Sequence, residues 1–154
     1  MNFVVDSNIL FSIVISGEKS RAFKLVENSE LELYFPEEGI LELRSHKRKL
    51  SKYSNEFELR VFLAFTIVRV IPQEFYEDKI KEAFQIAKEF DEKDTPFIAL
   101  ALKLNVPIWT GDKQMIVHGL RTGEYLALDT HAVESVLGGK NLEEIKKDLK
   151  KRYL

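Results

Sequence analysis

Several features are missing from this sequence of 154 residues, and each absence excludes a class of structure or chemistry. The chain has no cysteine, which excludes disulfide bonds and metal sites built on thiolates. No apolar run approaches the roughly 20 residues that span a bilayer. The start, MNFVVDSNIL, lacks the positively charged segment of a secretion signal. We therefore expect a soluble protein of the cytoplasm that makes no membrane contact.

The chain also lacks an excess of positive charge, since its formal net charge is −2. Domains that hold nucleic acid by bulk charge are usually distinctly basic, so any such contact has to depend on local charge. The hydrophobic content of 45%, with 11 Phe, is enough for a single well-packed domain. We expect residues 1–139 to form that domain and residues 140–154 to form an amphipathic helix packed on it or on a partner.

Short apolar runs alternate with helical patterns along the chain, which predicts a parallel sheet covered by helices on both faces. The predicted strands are Asn2–Val5, Leu31–Phe35, Val68–Ile71, Val106–Thr110 and Tyr125–Leu128. Among the predicted helices, one covers Phe75 to Phe90 and another begins at the cap residue Ser54. The predicted fold is an α/β protein with about five parallel strands.

Acidic residues follow the first and fourth predicted strands. Asp6 ends the first strand, Asp112 follows the fourth, and Asp94 stands at the start of the helix that leads into the fourth strand. Ligands of open parallel sheets bind at the carboxyl edge, where the strand order reverses. If the order is 3-2-1-4-5, the first and fourth strands are neighbours, and these three carboxylates meet.

Such a cluster of carboxylates predicts a site for a hard divalent cation. Without a cation the carboxylates repel one another, which raises their pKa values and weakens the fold. Mg²⁺ or Mn²⁺ prefers oxygen ligands, keeps bound waters and commonly acts on phosphate esters. A metal-activated water needs no Ser or His nucleophile, and none of the three His is adjacent to these acids in sequence.

A fourth acid is expected from the helix that begins at Pro36, and two residues compete for this role. Glu42 lies at the margin of the apolar face of this helix, and Glu38 lies one turn behind it. The same helix continues into the basic run RSHKRKLSK. We therefore predict phosphate contacts for Arg44 and Lys47 at the rim, and for Lys113 just past Asp112.

Four segments resemble the acidic signatures of the PIN domain, a family of metal-dependent ribonucleases. They are FVVDSNIL, ILEL around Glu42, DTPFIALAL from Asp94 and WTGD ending at Asp112. The resemblance implies a three-layer α/β/α sandwich with strand order 3-2-1-4-5. It also implies that Asp6, Glu42, Asp94 and Asp112 are catalytic acids that bind Mg²⁺ or Mn²⁺, and that a metal-activated water cleaves RNA.

The resemblance further implies supporting groups and partners. Asn8 and Thr110 are expected to orient the metal-binding acids, and Asp91 is expected to add an outer carboxylate. Many small prokaryotic members of the family are toxins of VapBC-type pairs. Such toxins are usually dimeric and are neutralised by an antitoxin peptide laid over the site, so a homodimer and an antitoxin protein are the expected partners.

Other interpretations of the same residues remain open. Asp6 and Asp94 are also suitable helix caps, Asp112 suits a Gly-Asp turn, and Glu42 suits an exposed helix face. An aspartyl phosphotransferase requires a second acid where Asn8 stands, and a receiver domain requires adjacent acids after the first strand. The remaining alternatives are an RNA-binding or assembly module with a weakened site and a housekeeping RNA-processing nuclease.

Overall fold

The central feature of the fold is a parallel sheet whose strand order reverses at the first strand. The computed structural model describes residues 1–27, 30–45, 48 and 56–154. Within these ranges five strands form one sheet in the order β3-β2-β1-β4-β5, as predicted. The strands are β1 (Asn2–Val5), β2 (Glu32–Pro36), β3 (Val68–Ile71), β4 (Ile108–Trp109) and β5 (Ala127–Leu128).

Helices flank this sheet and complete the predicted α/β/α architecture. The α-helices in the described residues are α1 (Ser7–Ser16), α2 (Arg21–Glu27), α3 (Glu38–Ser45), α4 (Phe57–Ile67), α5 (Gln73–Tyr76), α6 (Ile80–Ala87), α7 (Thr95–Leu104), α8 (Lys113–Thr122), α9 (Thr130–Leu137) and α10 (Leu142–Tyr153). Short 3₁₀ turns cover Gly17–Lys19, Glu77–Lys79 and Glu92–Asp94. None of the helices in these ranges combines the length and apolar character needed to cross a bilayer.

The centre of the sheet is strand β1, which pairs with β2 on one side and β4 on the other. Val5 pairs with Trp109, and the Asp6 N–H donates a 2.9 Å hydrogen bond to the Trp109 carbonyl. The ends of β1 and β4 are thereby held in register. As a result, the residues that follow these two strands leave the sheet side by side at its carboxyl edge.

The core is packed most densely around α7, the helix that connects the loop at Asp94 to β4. Residues 97–101 of this helix are all buried, and so are both residues of β4. The Trp109 ring is fully buried, and its Nε1 donates a 3.1 Å hydrogen bond to the Thr130 hydroxyl. Burial of apolar surface contributes roughly 25 cal/mol per Å², so this packing stabilises the helix that begins directly after Asp94.

The segment from Phe75 to Phe90 is not one helix, contrary to the periodicity. It is divided into the end of α5, a 3₁₀ turn and α6, and the backbone at Tyr76 departs from α geometry with φ −110° and ψ 9°. Tyr76 is fully buried, and its hydroxyl donates a 3.2 Å hydrogen bond to Glu38. The tertiary contact at Tyr76 therefore outweighs the local helical preference.

Two further helices differ from their predictions. Residues 113–122 form α8, where the sequence indicated only a turn after Gly111. The predicted helix beginning at Ser54 corresponds to α4, which the structure describes from Phe57 to Ile67, whereas Ser54 lies outside the described residues. The missed α8 matters for function, because its N-terminal cap is Asp112.

The C-terminal helix α10 packs on the same chain. It buries Ile145 and Leu149, and the Asn141 side chain caps it by accepting a 2.9 Å hydrogen bond from the Glu144 N–H. At the other end of the helix, Arg152 and Tyr153 both bond to the carboxylate of Asp129. Buried apolar contacts and polar contacts thus fix α10 against the body of the fold.

Candidate active site

Asp6 lies at the junction of β1 and α1, and two donors bond to its carboxylate. Oδ1 accepts a 2.8 Å hydrogen bond from the Ser7 N–H, and Oδ2 accepts a 2.6 Å hydrogen bond from the Thr110 hydroxyl. The pKa of Asp6 is raised to about 6, mainly by burial and also by the charges of Glu42 and Asp112, while the two hydrogen bonds oppose the increase. The side chain therefore caps α1 and also points toward other carboxylates.

Asp112 is tied to Asp6 through Thr110. Its backbone N–H donates a 2.9 Å hydrogen bond to the Thr110 hydroxyl oxygen, while its own Oδ1 caps α8 by accepting from the Gln114 N–H at 2.8 Å. The Thr110 side chain is fully buried. This hydroxyl acts as donor to one acid and acceptor from the other, which fits the orienting role expected for Thr110.

Asp94 differs from the other two aspartates because its side chain caps no helix. It occupies the position before α7, yet its carboxylate accepts no capping hydrogen bond. Among the described residues, its Oδ2 is a buried oxygen without a hydrogen-bond partner. The pKa of Asp94 is raised to about 8, mainly by burial and also by the charges of Asp6, Asp91, Asp112 and Glu42. The ionised form of this carboxylate lacks compensation from the protein.

Helix α3 brings Glu42, rather than Glu38, toward these aspartates. The Ser7 hydroxyl donates a 2.7 Å hydrogen bond to Oε2 of Glu42, and the Glu42 charge raises the pKa of both Asp6 and Asp94. Glu38 instead accepts a hydrogen bond from the buried Tyr76 hydroxyl. The geometry therefore makes Glu42 the fourth member of the acidic cluster.

A close approach between α3 and the sheet determines where Glu42 lies. Gly39 packs directly against the ring of Phe35, and a Cβ atom at Gly39 would lie 2.5 Å from that ring and 3.1 Å from the Phe97 ring. The Phe35 and Phe97 rings are themselves in edge-to-face contact, with centroids 5.5 Å apart. Only glycine permits α3 to pack this close to Phe35. The position of α3, and with it the distance of Glu42 from the sheet, therefore depends on Gly39.

Ser7 is the site residue that sequence reasoning missed. The resemblance gave the orienting role to Asn8 and none to Ser7. In the structure Asn8 is exposed, and no hydrogen bond joins its side chain to another described residue. Ser7 instead contacts both Asp6 and Glu42. Its position directly after the strand-ending acid was the available signal, but its contact with Glu42 depends on tertiary packing.

The remaining predicted residues lie around the cluster. Asp91 is exposed and caps the 3₁₀ turn through a 3.0 Å hydrogen bond from the Lys93 N–H, while its charge raises the pKa of Asp94. Arg44 and Lys113 are both exposed, on α3 and at the start of α8. Lys47 lies outside the described residues. The roles predicted for these residues in substrate binding remain predictions.

The acidic cluster meets the requirements of a hydrated divalent cation without forming a closed cage. Within the described ranges, no group of three or more His, Cys, Asp or Glu side chains has the geometry of a preformed metal cage. Mg²⁺ does not require one, because it keeps several waters and is commonly held by one or two carboxylates. The oxygen-only donors and the unpaired buried oxygen of Asp94 fit such a hydrated cation.

The sheet and the acids between β1 and β4 define a three-layer α/β/α domain with an acidic site at its switch point. The sequence model of the PIN domain matches residues 4–150, and this chain therefore belongs to the PIN domain family. PIN domains are generally nucleases, and they typically use divalent metal ions.

Comparison with solved structures agrees on the fold. The chain resembles one in the crystal structure of VapBC2 from Rickettsia felis bound to a DNA fragment from their promoter, with a TM-score of 0.56 and 14% identity. The likeness covers 84% of this chain and 98% of that chain. No curated protein matches this sequence. At 14% identity the structural likeness shows a shared fold.

Proposed function

We propose that this protein is an endoribonuclease that depends on Mg²⁺ or Mn²⁺ and hydrolyses RNA phosphodiester bonds with an activated water. The observation that carries this proposal is the buried, unpaired Oδ2 of Asp94 within a set of mutually repelling carboxylates. An arrangement that costs stability without a cation is expected where a cation is to be bound. Membership of the PIN domain family supports the same chemistry.

In this proposal Asp6, Glu42, Asp94 and Asp112 hold the cation. The bound cation would lower the pKa of a water and stabilise charge on the scissile phosphate. The protein orients the ligands before the cation binds. Thr110 fixes Oδ2 of Asp6, and Ser7 fixes Oε2 of Glu42. The Thr110 hydroxyl lowers the pKa of Asp6 against the effect of burial, which favours the ionised form that a metal ligand requires.

Local positive charge supports RNA as the substrate. The chain has a net charge of −2, so its affinity for a polyanion has to come from particular residues. Arg44 lies two residues beyond Glu42, and Lys113 immediately follows Asp112; both side chains are exposed. We assign them to phosphates that flank the scissile bond, at the rim of the acidic cluster.

We further propose that the protein is the toxin of a toxin–antitoxin pair, dimeric and active in the cytoplasm, where it meets RNA. The likeness in fold to a chain of VapBC2 supports this role. Helix α4 also supports a partner surface, because Leu59, Phe62 and Leu63 are 53%, 65% and 42% exposed. Large apolar side chains exposed together on one helix are typical of interaction surfaces.

A second candidate function is a PIN-type RNA-binding or assembly module with little catalysis. The observation that favours it is the lack, in the described part of the chain, of three acids arranged as a ready-made metal site. The two candidates differ in one measurable property. The nuclease cleaves RNA when Mg²⁺ or Mn²⁺ is bound. The module binds RNA without cleaving it and requires neither cation.

The test compares the parent protein with Asp112→Asn and a matched control, Asp78→Asn. Asparagine retains an oxygen that can cap α8, so Asp112→Asn removes charge with little change to the fold. Asp78 is an exposed acid paired with Lys103, away from the cluster. We expect Mn²⁺-dependent RNA cleavage, abolished by EDTA, in the parent and in Asp78→Asn but not in Asp112→Asn. Equal cleavage by Asp112→Asn would refute the site, and RNA binding without cleavage in the parent would favour the module.

A further inference from the structure

A second polar cluster lies beside the acidic site and is centred on His118. Its Nε2 lies 2.7 Å from Oε2 of Glu89, and its Nδ1 lies 3.3 Å from the hydroxyl of Tyr125. The ring of Phe90 packs on the His118 ring with centroids 5.0 Å apart. The His118 side chain is only 13% exposed. None of these residues belongs to the proposed metal site.

This cluster joins the two segments that carry Asp94 and Asp112. Glu89 and Phe90 are in the turn after α6, and the Asp91 N–H that follows them donates a 2.8 Å hydrogen bond to the Ala87 carbonyl. Asp94 ends the 3₁₀ turn that begins immediately afterwards. His118 lies on α8, the helix capped by Asp112. The contact of Glu89 with His118 therefore links the turn leading to Asp94 with the helix that follows Asp112.

Tyr125 places this cluster within electrostatic reach of the acids. Burial raises the pKa of the Tyr125 phenol, and the charges of Asp94 and Asp112 raise it further. The phenol is also fixed in position: its hydroxyl donates a 2.7 Å hydrogen bond to the Met115 carbonyl, and its ring packs on Gly119. Tyr125 is thus a fixed support against which His118 is oriented.

The contacts of the His118 ring show why the three residues act together. Tyr125 gives its proton to the Met115 carbonyl, and its oxygen lies 3.3 Å from Nδ1 of His118. On the opposite side of the ring, Nε2 lies within hydrogen-bond distance of the Glu89 side chain. The imidazole therefore contacts Tyr125 with one nitrogen and Glu89 with the other. A glutamine at position 118 has no ring that presents a nitrogen on each side.

We propose that Glu89, His118 and Tyr125 form a clasp that positions Asp94 relative to Asp112. This inference rests on the proposed function, since it concerns the geometry of the same metal-binding acids. The clasp residues are positioning residues: they hold the turn before Asp94 against α8. A clasp is needed there because Asp94 has no capping hydrogen bond of its own to fix its carboxylate.

The test measures Mn²⁺ affinity by titration calorimetry and melting temperature without metal, using the full-length protein at neutral pH. The variants are Glu89→Gln, His118→Gln and the double variant. The control is Glu124→Gln, because Glu124 is an exposed acid next to Tyr125 whose charge also acts on that phenol. Removing partners that orient metal ligands typically weakens metal affinity by 10–100-fold, so we expect about a 10-fold loss in each single variant.

We expect the double variant to lose no more affinity than either single variant, because the residues act as one unit. The melting temperature of Glu89→Gln should fall by no more than about 4 °C, since Glu89 is largely exposed. RNA cleavage at saturating Mn²⁺ should recover. Glu124→Gln should bind Mn²⁺ like the parent.

Two different failures are distinguishable. Parental affinity in Glu89→Gln and His118→Gln, or an equal loss in Glu124→Gln, would overturn the clasp while leaving the proposed function intact. A parent protein that neither binds Mn²⁺ nor cleaves RNA would overturn the proposed function, and the clasp with it. Additive losses in the double variant would show that the two residues act separately, which also contradicts the clasp.

Discussion

Thr110 donates a 2.6 Å hydrogen bond from its buried hydroxyl to Oδ2 of Asp6, although the two residues are 104 positions apart in the chain. The same hydroxyl accepts a hydrogen bond from the backbone N–H of Asp112. A single side chain thus holds Asp6 and Asp112, the first and last of the four predicted metal-binding acids, beside one another. Removing this buried hydroxyl should cost more stability than removing an exposed one, because the Asp6 carboxylate and the Asp112 N–H would both lose a hydrogen-bond partner.

The first prediction concerns Thr110→Val, which preserves the shape of the side chain and removes its hydroxyl. We expect unfolding free energy to fall by about 1–3 kcal/mol, because Oδ2 of Asp6 stays buried without its donor. Urea denaturation of the metal-free protein measures this change. Thr110→Ser keeps the hydroxyl and should lie closer to the parent. Equal stability of the valine and serine variants would contradict the bridging role of Thr110.

The second prediction concerns the stability of the metal-free protein as pH changes. The folded-state pKa of Asp6 is raised to about 6 and that of Asp94 to about 8, both from an ordinary value of 3.8. At pH values between the ordinary and the raised pKa of these two carboxyl groups, the folded state binds more protons than the unfolded chain. Linkage then requires the unfolding free energy to fall as pH rises, until Asp94 is ionised near pH 8. Urea denaturation across this pH range in EDTA measures it.

Other acids act in a different pH range and do not obscure this effect. Hydrogen bonds from Lys103 and Lys140 lower the pKa of Asp78 and Asp148, respectively. These two ion pairs therefore stabilise the fold fully above the ordinary pKa of aspartate. Their contribution is lost as the pH falls through the lowered pKa values. That loss lies below the range in which Asp6 and Asp94 act. The double variant Asp6→Asn/Asp94→Asn should flatten the slope. A parent protein that gains stability toward pH 8 would contradict the prediction.

The third prediction is that Asp94→Asn stabilises the metal-free protein at pH 8 while removing its response to metal. The asparagine carries no charge, so it removes the repulsion that Asp94 shares with Asp6, Asp112 and Glu42. We expect a higher melting temperature than the parent in EDTA, and no further increase with Mn²⁺. A variant that melts lower than the parent in EDTA, or still responds to Mn²⁺, would show that Asp94 is structural.

The fourth prediction separates Glu42 from Glu38. Glu42→Gln should weaken Mn²⁺ binding by at least about 10-fold, because it removes one carboxylate of the cluster. Glu38→Gln should bind Mn²⁺ like the parent, since the Glu38 carboxylate accepts a hydrogen bond from the buried Tyr76 hydroxyl instead of joining the cluster. Isothermal titration of both variants measures the difference. The reverse outcome would assign Glu38 as the fourth acid.

The local pattern of the chain was sufficient to place three of the acids. Asp6 and Asp112 follow short apolar strands, and Asp94 precedes an apolar helix that contains Pro96, so the parallel sheet and its strand order follow from sequence and resemblance together. The capping interpretation was also partly right. Asp6 and Asp112 do cap α1 and α8. Capping and convergence are compatible, because helices begin where strands of this sheet end.

The parts that were missed depend on contacts between distant segments. Nothing near Ser7 indicates that its hydroxyl will meet Glu42, 35 residues later, because that distance is set by how closely α3 approaches the sheet. Tyr76 interrupts a regular helical pattern because its ring is required in the core. Helix α8 was missed since Asp112 reads equally well as a turn residue or a cap. The periodicity of apolar residues indicates local secondary structure, but it does not predict which side chains from distant segments come into contact.

The last prediction tests whether the packing of α3 controls the acidic cluster. In Gly39→Ala the new Cβ would lie 2.5 Å from the Phe35 ring, so either the ring or the helix has to move. Overpacking of this kind typically costs about 1–3 kcal/mol of stability. Because Gly39 and Glu42 lie on the same short helix, we also expect weaker Mn²⁺ binding, measured by calorimetry beside urea denaturation.

Ser7→Ala provides the comparison, because it removes the hydroxyl that bonds to Glu42 without displacing α3. If the position of the helix controls the site, Gly39→Ala should lower Mn²⁺ affinity at least as much as Ser7→Ala, and it alone should show the cost of overpacking. If Gly39→Ala lost stability but bound Mn²⁺ like the parent, the Phe35 ring would have moved instead of the helix. Glu42 would then be held by Ser7 independently of how α3 packs on the sheet.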